Sequence, residues 1–141
     1  MKRRYVAGMG MVERAQAIEK WRHMVTNAGI HTLMGEDVQE LVGGAGSVIF
    51  VTLGAAKAQG LDMDSPDISI ICGAGNAVAD QTRLKEVDPM HRASIASGLA
   101  ACQRIAPALS QKHVLDAVVQ MHFALRTGRA PWMPATTEGT L

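Results

Sequence analysis

A chain of 141 residues with 48% hydrophobic content is the size of one domain and carries enough apolar matter to bury a core without metal or disulfides. Fourteen basic residues against thirteen acidic ones, a formal charge of +1, leave no broad field for nucleic acid or anionic lipid, so any electrostatic site must be local. The two cysteines, Cys72 and Cys102, make no disulfide framework, and their apolar settings read as reduced, buried thiols in a cytoplasmic protein.

Aromatic residues are only 4% of the chain, while nine methionines and many alanines supply the bulk. That balance favours packed helices over sheets. Lys2, Arg3 and Arg4 are followed by a stretch that is short, Gly-interrupted and closed by Glu13 and Arg14; it lacks the apolar region of a signal peptide, and export is not expected. Leu41 to Ala56 is free of charge but bounded by Glu40 and Lys57. It falls short of the ~20 residues a bilayer span needs and reads as a buried core helix.

In chain order, Val12, Ala15, Ile18, Trp21, Val25 and Ala28 recur at helical spacing, with Gly29 as the expected stop. Glu36 and Asp37 suit the first turn of a second helix running through the apolar stretch to Gln59, with Gly60 as terminator. Gly43, Gly44 and Gly46 fall inside it, and three glycines in a helix cost ~3 kcal/mol relative to alanine. They must be offset by tight packing or mark a break. Ser65-Pro66-Asp67 opens a third helix from Pro66 to about Leu84, and Asp88-Pro89 opens a fourth that ends near Ile105, before Pro107. Ser110 caps a fifth, with Val114, Val118, Met121 and Leu125 as its stripe and Gly128 as its end.

The expected fold is therefore all-α, a single-domain bundle of about five helices over residues 1–128, followed by an extended tail over 129–141. A competing α/β reading rests on two β-branched runs, Ser47 to Leu53 and Ile68 to Cys72, either of which has the composition of a buried strand. Against it stand the Ser-Pro-Asp cap directly before the second run and the marginal stability of a two-stranded sheet.

Leu41 to Ser47 and Ile70 to Asn76 echo one another, each carrying Gly-Ala-Gly. Gly44-Ala45-Gly46 and Gly73-Ala74-Gly75 admit a phosphate-cradle reading, with Gly73, Gly75 and Asn76 as a ligand-binding loop of the α/β alternative. A dinucleotide fingerprint needs a third small residue, yet Ile49 and Val78 stand there, and no Walker lysine follows. The other reading is close helix packing. His23, His31, His91, His113 and His122 show no paired metal-ligand spacing, so no metal or cofactor is expected. No catalytic residue is assigned, because Cys72 and the histidines read as packing or capping groups. A helix-turn-helix built on the third and fourth helices, with Arg83, Lys85 and Arg92 on DNA, is the nucleic-acid alternative, although Asp80, Glu86 and Asp88 interrupt its positive surface.

The favoured expectation is a non-enzymatic protein that acts by binding protein, as a homodimer and with a further protein partner, in the manner of a small regulator or inhibitor carried by a phage or mobile element. Gly44 and Gly46 on a smooth helix face, with Trp132 and Met133 between Pro131 and Pro134, are the candidate contacts. Trp132 has two expected homes, the protein's own core or a partner.

Overall fold

The computed structural model describes residues 10–34 and 41–132, and in that part the chain is an all-α bundle of five helices. They are α1 (Met11–Met34), α2 (Gly46–Gln59), α3 (Pro66–Gln81), α4 (Pro89–Ile105) and α5 (Gln111–Arg126), with a π-helical turn over Leu41–Ala45 leading into α2 and a 3-10 turn over Ala106–Ala108 before α5.

The charge-free stretch explains the arrangement. A helix that is apolar all round must be covered on every side, and α2 touches all four other helices. Val48, Ile49, Thr52, Ala55 and Ala56 are fully enclosed. Both β-branched runs are helical, which corrects the α/β alternative: no strand occurs among the described residues. Burial outweighs the β preference of Val, Ile and Thr in α2, and in α3 the Ser65 hydroxyl accepts from the Ile68 N–H at 3.4 Å with Pro66 behind it, fixing a helical start.

The helix ends follow their chemistry. Gly60 (φ +86°) closes α2 with its N–H on the Lys57 carbonyl and that of Leu61 on Ala56, a Schellman stop whose left-handed residue suits glycine. Gly128 (φ +71°) closes α5 identically, through Leu125 and Ala124. At the start of α4, Asp88 Oδ1 accepts from Met90 N at 2.8 Å. At the start of α5, Ser110 Oγ accepts from His113 N at 3.2 Å and lies 2.5 Å from His113 Nδ1.

Three expected boundaries move. Helix α1 continues through Gly29 to Met34, since one glycine costs only about 1 kcal/mol in a helix. Helix α3 ends at Gln81 rather than Leu84, because Gln81 turns its amide into the following loop: Nε2 donates to Glu86 O at 2.7 Å, and Oε1 accepts from Asp88 N at 3.0 Å. The stripe of α5 turns by part of a helical step, so that Val114, Ala117 and Met121 are buried while Leu125 is 47% exposed. Glu36 and Asp37 lie outside the described residues.

Two more glutamines fasten the bundle. Gln59 holds the α4–α5 connection, its Nε2 on Ala108 O at 2.7 Å and its Oε1 on Ser110 N at 2.8 Å. Gln103 ties α4 to α1 through the Val25 carbonyl at 2.8 Å.

Candidate interaction surface

Helices α3 and α4 make the most extensive contact in the molecule, and they run antiparallel along their whole length. Arg104 Nη2 meets Asp67 Oδ1 at 2.8 Å at one end of the pair, and His91 Nδ1 lies 3.0 Å from Gln81 Oε1 at the other. Midway, a Cβ placed on Gly98 would collide with that of Ala74. Such closeness is available only to residues without bulk. The inner faces are apolar: Ile71, Ala74 and Val78 on α3, and Ile95, Leu99 and Cys102 on α4, are buried.

The outer face of this hairpin differs in kind. Ser69, Gly73 and Asn76 on α3 and Ala93, Ser97 and Ala100 on α4 are all exposed, and each triplet follows the i, i+4, i+7 spacing of one helical side. All six are small and uncharged. Charge returns only one helical step beyond, at Asp80 on α3 and Arg104 on α4.

The sequence-predicted residues fall in different places. Gly73, Gly75 and Asn76 lie inside α3 and form no loop; their N–H groups belong to the helical ladder, so the phosphate-cradle reading is corrected. In both Gly-Ala-Gly segments the first glycine faces out, the alanine is buried, and the second glycine receives an aromatic ring. A Cβ on Gly46 would lie 2.8 Å from Cε3 of Trp132, and one on Gly75 would lie 3.3 Å from Cζ of Phe50. The two rings are 6.0 Å apart at 43°, an arrangement favourable to aromatic pairs. Trp132 is 7% exposed within its own chain. The structure thus takes the own-core alternative for Trp132, and Gly46 beneath it is no surface contact. Gly44 is exposed with open space around it, so no second backbone approaches it within the chain. Met133 lies outside the described residues.

Arg83 and Lys85 are exposed on the α3–α4 loop, and Arg92 is half-buried on α4. The side-by-side hairpin differs from the crossed pair of a helix-turn-helix, whose helices meet at about 90–120°. That corrects the geometry on which the DNA-binding alternative depended.

The cysteines divide. Cys72 is exposed on α3, against the expectation of burial, because the ISIIC run follows helical rather than alternating geometry. Cys102 is fully enclosed, and burial pushes its thiol from an ordinary 9.0 up to about 12, with the facing Thr52 hydroxyl lowering it in part. The Thr52 hydroxyl has no well-formed hydrogen bond of its own. Buried thiols of this kind are inert. Among the described residues no three of His, Cys, Asp and Glu stand close enough to hold a metal ion, and no helix is long and apolar enough to cross a membrane.

No protein-family model matches the chain, and no curated protein or solved structure matches it either.

Proposed function

We propose that this chain is a non-enzymatic helical protein that works by binding protein, with a second copy of itself as its partner across the outer face of the α3–α4 hairpin. The observation that carries the reading is the pair of small, uncharged triplets, Ser69-Gly73-Asn76 and Ala93-Ser97-Ala100. A smooth face lets two helix pairs approach as closely as Ala74 and Gly98 already do, gaining dispersion contacts with little side-chain ordering. A two-fold axis would set the face against itself, as symmetric dimers require. A dimer formed in this way leaves the α5 side of the bundle open for a further protein, the role of a small regulator or inhibitor.

Sedimentation analysis tests this. The wild-type chain is expected to reach dimer mass with rising concentration, and Ser97→Arg to remain a monomer with an unchanged helical spectrum. A wild-type chain that stays monomeric removes the reading. Salt-dependent binding to duplex DNA, lost on changing Arg83 and Lys85, would favour the nucleic-acid alternative instead.

A further inference from the structure

We propose that the Trp132 seat on α2 is an exchange site, into which the tail of a second copy inserts its Trp132 in place of the chain's own. This goes beyond the hairpin face and rests on a different contact. The seat is a built feature: Gly46 has no side chain, a Cβ there would lie within 2.9 Å of two ring carbons, and Phe50 flanks the indole. The guest comes from 86 residues further along the sequence, on a short arm that starts from the Gly128 stop. Only Thr127, Gly128 and Arg129 separate α5 from the buried Ala130 and Trp132, and the return of the arm depends on the Arg129 N–H to Ala124 carbonyl bond at 2.7 Å.

A short hinge of this kind is where exchange between identical chains arises, because opening it costs few contacts and the contacts regained in the partner are the same ones. The arm carries Pro131, which restricts the backbone beside the indole, so the guest segment transfers with little loss of order. An opened arm exposes Ala130 and Trp132, both apolar and both otherwise buried. That exposure drives the arm into the nearest vacant seat, and at high concentration this belongs to another copy.

The test uses the full chain in a Ser97→Arg background, so that failure of the hairpin-face reading and failure of this one are separable. Gly46→Leu blocks the seat but keeps the indole, and Trp132→Ala keeps the seat but removes the indole. Neither should associate alone, while their mixture should give a 1:1 species of doubled mass by native mass spectrometry. A mixture of two folded variants that stays at single-chain mass overturns the proposal. Should Gly46→Leu fail to fold, a peptide of residues 127–141 serves as the guest. It should bind the Trp132→Ala chain saturably with a blue shift of its indole emission, and bind the unsubstituted chain about tenfold more weakly, because the tethered tail competes at high effective concentration. Absence of saturable binding to the Trp132→Ala chain overturns the proposal as well.

Discussion

Gly73 and Gly98 sit on facing helices of one hairpin, and their surroundings give them opposite energetic signs. A Cβ on Gly73 meets nothing within 4 Å, whereas one on Gly98 runs into Ala74. Gly73→Ala should therefore raise stability by about 1 kcal/mol through helix propensity alone. Gly98→Ala should lower it by ~1–3 kcal/mol through overpacking, and urea midpoints for the two variants would show the contrast. The cysteines make a second matched pair. Cys72 is exposed and Cys102 enclosed, so a thiol reagent should modify one cysteine in the folded chain and two in denaturant. The raised value of Cys102 belongs to the folded state alone. Stability is therefore intact below 9.0, where both states keep the proton, and declines as pH rises toward 12 because only the unfolded chain ionises freely. Unfolding curves recorded on either side of 9.0 should diverge for the wild-type chain, and diverge less for Cys102→Ala.

At the scale of elements, the α3–α4 loop is organised by one enclosed amide. Gln81 is fully buried and serves the Glu86 carbonyl, the Asp88 N–H and the His91 ring together; a buried polar group with several partners costs the fold when its partners are left unmet. Gln81→Met keeps the volume but strands those groups, and a loss of ~1–3 kcal/mol is expected, with faster amide exchange over residues 82–88. This contact was not legible in the sequence. A glutamine that follows a helical stripe looks like an ordinary surface residue, and only the return of the loop places the Asp88 backbone against it. The helix starts were legible because they are local: Ser65, Asp88 and Ser110 act within three residues of themselves, and the helices begin beside them. Gly29 misled because a glycine is a stop only where the chain also turns left-handed, as at Gly60 and Gly128.

For the whole molecule, the fold class was readable from the charge-free stretch and the Ala- and Met-rich composition, since both speak of helices packed about a central one. The candidate face was not. Ser69, Gly73 and Asn76 share a side with Ala93, Ser97 and Ala100 only because Ala74 and Gly98 allow α3 and α4 to lie side by side. The sequence reading placed the contacts at Gly46 and Trp132 instead, because a tryptophan between prolines carries no mark of what it covers. The same hairpin has a consequence in time. Its helices are joined by the short loop of residues 82–88, whereas the ties from α1 to α4 and from α2 to the α5 entrance span 78 and 49 residues. Short loops close at less entropic cost, so the α3–α4 pair should assemble first and the remaining helices condense upon it. Gly98→Ala should then slow refolding, while Trp132→Ala should chiefly quicken unfolding, a division that the two arms of a chevron would display. Were it so, the tail that closes the structure last would also be the part that leaves it first.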